Sequence, residues 1–282
     1  MAIDNATARP RDRLPWPDFT CYTYSMSFDP IARFYDLDDG RLTDDIPLYL
    51  GFARKTGGPA LELGVGSARL ALPLASAGFE VTGIDVSGEM LALARERIMR
   101  AGLRDRVRLI QADFTTPPLQ EAQFALAYCG YNAFLHLIDG YDQRWALTAW
   151  RRALRPGGLL VIDVENPQLE ALAGLSEKMV QEETLLDEDS GRGVRKFIAA
   201  WADLPDQILH LHRVYETNDG RWETAFQMRI LFQRELVLLL ACAGYNEMRF
   251  YGDYELNPWE PDSPRLIAVA AKPETSVLSL LS

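Results

Sequence analysis

Three acids, each set at the end of a short apolar run, are the residues of this sequence best placed to do chemistry. Glu62 lies in the stretch ALELGVGSARLALPLA, Asp85 closes VTGID, and Asp113 closes RVRLIQAD. Just after the first acid come Gly64 and Gly66, which let a backbone pass close to a ligand with no Cβ in the way. A glycine-rich turn between a strand and a helix usually cradles phosphate, but a carboxylate at Glu62 repels one. It suits instead a ligand carrying an ammonium or sulfonium group. Asp85, about twenty residues on, stands where a carboxylate accepts hydrogen bonds from both hydroxyls of a ribose. Asp113 is placed to receive an adenine amino hydrogen, with Phe114 beside the ring. The three acids describe a nucleoside with a cationic tail, not a pyrophosphate.

These acids need strands to carry them and helices to cover the strands. From residue 60 to about 165, short apolar runs alternate with amphipathic segments (PALELG, LALPLASAG, FEVTGID, GEMLALARERIMRAG, RVRLIQAD, FALAYCG, DQRWALTAWRRALRPGG, LLVIDV). That rhythm predicts βαβ units and a parallel sheet with helices on both faces. After Pro167 it changes. VRKFIAAWA, QILHLHRVYET and RWETAFQMRILF read as antiparallel strands, with hairpin chemistry at Asn218, Asp219 and Gly220. RELVLLLACAG reads as a buried helix closed by Gly244, and RLIAVAAK as a last strand. The predicted fold is α/β: a Rossmann-like, doubly wound, mostly parallel sheet with a late antiparallel insertion and an N-terminal helical lid. The expected segments are 1–58 (lid), 59–167 (core), 168–235 (insertion) and 236–282 (closing helix and strand).

Composition narrows the partners. With 48% apolar and 24% charged residues, the chain reads as a soluble globular protein. Its formal charge of -11 argues against nucleic-acid and membrane partners, which need a basic surface. Cys21, Cys129 and Cys242 lie far apart, so no zinc site or disulfide framework is expected, and free thiols point to the cytoplasm. The N-terminus has no apolar signal core.

At this point the residues meet a known pattern. Residues 60 to 165 resemble the class I S-adenosylmethionine-dependent methyltransferases, whose acid-x-Gly-x-Gly-x-Gly is matched by ELGVGSA at 62 to 68, and whose turn before the fifth strand is matched by RPGG at 155 to 158. The resemblance implies S-adenosyl-L-methionine as cofactor, its methionyl end at Gly64 and Gly66, its ribose on Asp85 and its adenine on Asp113, with Val86 and Met90 alongside. Glu62, Ser67, Ala68, Phe114 and Tyr128 complete the expected cofactor set. Ala68 departs from the pattern's third glycine. A looser resemblance, carried by RFYDLDDG, NAFLHL and the strand-rich segment ending MRILFQREL, extends to small-molecule N-methyltransferases of the glycine N-methyltransferase and amino-sugar N,N-dimethyltransferase kind.

The expected partner is a small-molecule methyl acceptor, an amine in the leading reading, with an O- or C-methyltransferase or a non-catalytic cofactor-binding protein as alternatives. Methyl transfer is an in-line displacement that needs a held lone pair and little water. His136, in a helix expected after the fourth strand, is the candidate base and Tyr35 the candidate catalytic hydroxyl, against a packing role for each. Tyr131, Asn132, Arg229 and Tyr254 are the expected acceptor contacts. His210 and His212 share one strand face but lack a third ligand, so no metal is expected. The acidic run 182–193 reads as a solvated loop. Exposed strands in the insertion make a homodimer reasonable. A dehydrogenase would need a third glycine where Ala68 stands.

Overall fold

In the computed structural model, which describes residues 28–187 and 191–274, the chain enters through a 3₁₀ turn, Asp29–Ile31, and a single helical turn, α1 (Ala32–Tyr35), before α2 (Ile46–Thr56). The βαβ rhythm then yields β1 (Ala60–Leu63), α3 (Ala71–Ser76), β2 (Val81–Asp85), α4 (Gly88–Arg100), β3 (Val107–Gln111), β4 (Phe124–Cys129), α5 (Gly140–Ala153) and β5 (Leu154–Glu165). A short α6 (Leu169–Ala173) leads to β6 (Val180–Asp187), β7 (Arg192–Asp203), β8 (Ile208–Thr217) and β9 (Gly220–Arg229). The chain closes with α7 (Gln233–Cys242), β10 (Glu247–Tyr251) and β11 (Arg265–Ala271).

Two sheets result. The larger has the order β10-β11-β5-β4-β1-β2-β3, with β11 alone running antiparallel to its neighbours β10 and β5; the smaller is an antiparallel β6-β7-β8-β9. β1 and β4 are buried along their whole length, as expected where helices cover both faces. The helices show why. In α5 the buried residues Gln143, Ala146, Leu147, Trp150 and Ala153 recur at helical spacing, and Asp139 caps the first turn by accepting from the Tyr141 N–H at 2.6 Å. β1 pairs with β2 on one side and β4 on the other, so the winding direction reverses at its carboxyl end. In such sheets a ligand cleft opens there.

The structure corrects three expectations. The acidic run is not a loop over most of its length: residues up to Asp187 form the edge strand β6, with Leu185 buried against Ile31, Phe34, Val194 and Tyr215. Its charges are those of a sheet edge kept from pairing with other chains; residues 188–190 lie outside the described residues. A further strand, β10, precedes the last one, its alternation masked by charges in EMRFY. His136 sits in a 3₁₀ turn, Ala133–His136, not in a regular helix. The N-terminal leader and Cys21 lie outside the described residues. Among the described residues no helix is long and apolar enough to cross a membrane.

A strap, residues 28 to 45, ties the sheets together. Asp36 accepts from Ser67 Oγ at 2.5 Å and Arg97 at 2.8 Å, and Asp29 from Ser87 Oγ, all on the parallel-sheet side. Asp38 accepts from Lys196 and Asp39 from Arg213, both at 2.8 Å, on the antiparallel side. Asp45 and Arg69 form a fully enclosed two-pronged pair at 2.6 and 2.7 Å.

Candidate active site

Between the carboxyl ends of β1, β2 and β4 and one face of the smaller sheet lies a cavity of about 1140 Å³. Glu62, Gly64, Gly66, Asp85, Val86, Met90, Asp113 and Phe114 line one end; Tyr35, Tyr131, Asn132, His136 and Arg229 line the middle and the other end. Ser67, Ala68, Tyr128 and Tyr254 do not line it.

The acids are aimed by backbone. Asp85 accepts the Gly66 N–H at 2.8 Å and the Ser87 N–H at 2.9 Å, which fixes the carboxylate while each oxygen keeps a second lone pair for a ligand hydroxyl. Ser87 then caps α4 by accepting the Met90 N–H at 3.0 Å. Asp113 folds over the Thr115 N–H with one oxygen at 2.8 Å, leaving the other without a partner among the described residues. The neighbouring Phe114 is held by its carbonyl, which takes the Trp150 indole N–H at 2.7 Å. Val86, exposed, and Met90, buried, flank the space between Asp85 and Phe114.

Gly64 and Gly66 have φ of +78° and +52°, which L side chains rarely adopt. A Cβ on Gly64 would stand 2.8 Å from the Ala133 Cβ, closing the gap between the β1 and β4 turns. Ala68 adopts φ of +65°, a conformation glycine would take without strain, and is fully buried; it packs beneath the turn, away from the cavity.

Glu62 is 3% exposed, and its carboxyl accepts from the Tyr128 hydroxyl at 3.0 Å. Burial pushes its pKa up to about 8, opposed by the Tyr128 hydrogen bond and the Arg69 charge, with Asp45 and Asp85 adding to the rise. A neutral acid at the base of a cleft, ready to ionise beside a cation, is what a ligand with a positively charged tail requires.

Four expected contacts are therefore corrected. Tyr128 is completely buried and holds Glu62. The Ser67 hydroxyl is spent between Asp36 and Arg97, and Ala68 packs below the turn. The Tyr254 hydroxyl faces Asp163 at 3.4 Å, in a buried cluster that also takes the Tyr49 hydroxyl and Arg265. That cluster was missed by sequence reasoning and bears on the site: Asp163 accepts the Tyr131 N–H at 3.2 Å, and the Asn132 side chain accepts from Glu165 N–H and Arg265. It holds Tyr131 and Asn132 at φ of +46° and +67°, sparsely populated for non-glycine residues. An acid inside an apolar strand, Asp163 in LLVIDV, was the available signal.

His136 is enclosed by Phe28 and Phe226, ring centroids 5.3 and 5.5 Å away. Burial first, then Arg213, push its pKa down to about 4, while the Gln227 carbonyl at the edge of β9 opposes the fall. It is a weak proton acceptor at neutral pH, the opposite of the base expected from its type alone. Tyr35 is held well above the ordinary tyrosine value by burial and by Asp39, so its hydroxyl stays protonated and can donate. Arg229 reaches the cavity wall with both terminal nitrogens engaged by Asp206, Gln207 and Glu235. His210 stacks on Trp201 and His212 approaches Glu223 at 3.4 Å. They face away from the cavity, and no cluster of three metal-ligating side chains occurs among the described residues.

Residues 60–158 match the family model described as methyltransferase domain, the span that carries all three acids. The chain carries a methyltransferase domain and is an S-adenosylmethionine-dependent methyltransferase. It is similar to the glycine/sarcosine N-methyltransferase of Aphanothece halophytica, 28% identical over 225 residues that cover 75% of each chain. The enzyme of the same name from Halorhodospira halochloris is 26% identical over 243 residues, 83% of each chain. Among solved structures, the CcbJ methyltransferase from Streptomyces caelestis superimposes with a TM-score of 0.75 at 25% identity, over 88% of this methyltransferase and 98% of CcbJ. At 88% of the chain, that match extends well beyond the family domain.

Proposed function

We propose that this methyltransferase acts on a small molecule and transfers the methyl group to an amine nitrogen. The observation that carries the proposal is the character of the cavity beyond the cofactor acids: the insertion closes it with apolar side chains from three strands. Two relatives that span most of the chain are named as N-methyltransferases of glycine and sarcosine, which supports nitrogen as the acceptor atom.

S-adenosylmethionine supplies an electrophilic methyl on a sulfonium. In our reading Asp85 takes the ribose hydroxyls, Asp113 and Phe114 the adenine, and Glu62 with the Gly64 and Gly66 turn the methionyl end. Tyr131, Asn132 and Tyr35 stand where the two ends of the cavity meet and orient the acceptor's lone pair toward the methyl carbon. The apolar walls keep water away, which strengthens every polar contact within. His136, neutral above about pH 4, accepts an N–H from the acceptor but does not retain its proton. The proton released after transfer passes to solvent.

The test is calorimetric titration with S-adenosylhomocysteine, with NAD as control, followed by mass spectrometry of a panel of amines, alcohols and carbon acids incubated with S-adenosylmethionine. Micromolar binding of the first ligand alone, and methylation confined to amines, is the expected outcome. Methylation confined to hydroxyls or carbons would overturn the choice of nitrogen. A turnover profile that follows a group titrating near pH 6.5, and is lost in His136→Asn, would overturn the role given to His136.

A further inference from the structure

Three arginines line the cavity: Arg69, Arg213 and Arg229. Arg69 is spent on Asp45 through both terminal nitrogens and on the Leu42 carbonyl. Both terminal nitrogens of Arg229 are likewise engaged. Arg213 differs in its second terminal nitrogen. It gives Nη1 to Asp39 at 2.8 Å, while Nε, like that of Arg229, is buried with no partner among the described residues, and Nη2 donates to none of them. The unpartnered atoms make up the side-on edge of the guanidinium, the fork whose two parallel N–H groups match a carboxylate.

The surroundings hold that fork still. Arg213 lies on β8 opposite Ile198 of β7 and Thr224 of β9, on the face turned to the cavity, and its guanidinium stands 5.5 Å from the centre of the Phe226 ring. Asp39, its hydrogen-bond partner among the described residues, also accepts the Tyr131 hydroxyl at 3.1 Å and belongs to the strap. A buried donor without a partner is costly, and a fork kept rigid by a salt bridge and an aromatic face is preorganised for a planar anion.

We propose that this fork is a subsite for a carboxylate of the methyl acceptor, and that the acceptor is an amino carboxylate with an apolar body. The inference rests on the methyl-transfer reading above and names the acceptor's class. A bare anion would be repelled by a chain of net charge -11 and by the acids at the cavity mouth, Glu165, Asp139 and Asp142. An ammonium on the same molecule removes that penalty and brings the nitrogen to be methylated. The apolar body follows from the walls next to the fork, Ile198, Leu211 and Phe226.

The experiment uses the full chain saturated with S-adenosylhomocysteine and titrates it with DL-phenylalanine, DL-phenylalaninamide and phenethylamine. The amino acid should bind at least about tenfold more tightly than the other two, which keep the ring and the amine but lack the carboxylate. Arg213→Lys keeps a cation for Asp39 but not the fork; it should erase that preference while leaving S-adenosylhomocysteine affinity within about twofold. Equal or tighter binding of the amide, a preference that survives in Arg213→Lys, or no binding of any of the three overturns the subsite. Failure of S-adenosylhomocysteine to bind is a separate result and removes the cofactor reading itself.

Discussion

The two ends of the cavity are built in opposite ways. At the cofactor end, each polar group belongs to a strand end or to the turn after it, and two of the three acids are fixed by backbone N–H groups two residues on, Ser87 for Asp85 and Thr115 for Asp113, while Glu62 is held by the Tyr128 hydroxyl. At the acceptor end the wall is a separate sheet, and its polar groups are fixed by partners far along the chain, such as Arg213 by Asp39, 174 residues earlier. The first kind of site depends on local geometry that many sequences can preserve. The second depends on docking, so it can change its ligand without disturbing the first.

The comparison breaks most visibly at the strap, which both ends share. Asp45 and Arg69 are buried at 0% and 7% exposure and pair through two contacts. Asp45→Ala leaves the guanidinium uncompensated and should cost about 3–5 kcal/mol of unfolding free energy, read from the urea midpoint at constant m-value. A loss under 1 kcal/mol would mean that the strap is not tied to the cofactor end through this pair.

Glu62 sharpens the comparison through pH. Its pKa is near 8 in the free protein, against 4.5 unperturbed, so the folded state holds a proton that the unfolded state releases. This group's contribution to stability therefore falls as pH rises from about 4.5 to 8 and is level above. A cationic cofactor tail favours the ionised form, so affinity should rise with pH up to about 8, by up to roughly tenfold per unit, with proton release visible as a dependence of binding heat on buffer ionisation enthalpy. The charges facing Glu62 are Arg69, Asp45 and Asp85, together with the Tyr128 hydroxyl. Glu62→Gln should flatten the profile; an unchanged slope would place the proton elsewhere.

Asp85→Asn tests the same end by hydrogen bonding. It retains an acceptor for one backbone N–H but weakens the ribose contacts, and should reduce S-adenosylhomocysteine affinity by about 2 kcal/mol, some thirtyfold. Affinity equal to wild type would mean that the carboxylate serves the turn alone.

The same contrast explains what was legible in the sequence. The three acids, Gly64 and Gly66 sit on the cavity because strand ends and turns are written in runs of a few residues. Tyr128 was misplaced because a tyrosine at a strand end reads as a cleft residue whether it points to the cleft or, as here, back onto Glu62. His136 was misjudged as a base because a side chain's type gives its intrinsic pKa, whereas burial beside Phe28 and Phe226 with Arg213 nearby sets the real one. The run 182–193 was read as a loop because a charged edge strand hides its alternation; Leu185 is buried only once the strap lies across it. The Asp163 cluster joins β4, β5, α2 and β11, a convergence no local window contains.

The smallest expected effect isolates the acceptor end. Phe226 is 4% exposed, pairs with Leu211 across the sheet and touches the rings of Phe28 and His136. Phe226→Leu keeps an apolar side chain of similar bulk, so stability should fall by no more than about 1.5 kcal/mol. The ring nevertheless supports the Arg213 guanidinium and encloses His136, so the acceptor should lose about 1 kcal/mol of binding, seen as a several-fold rise in KM, while S-adenosylhomocysteine affinity stays put. If the two ends are as separable as their construction implies, cofactor affinity will not respond at all. An equal loss for both ligands would show that the smaller sheet and the strand ends act as one rigid unit, and that the strap transmits packing as well as charge.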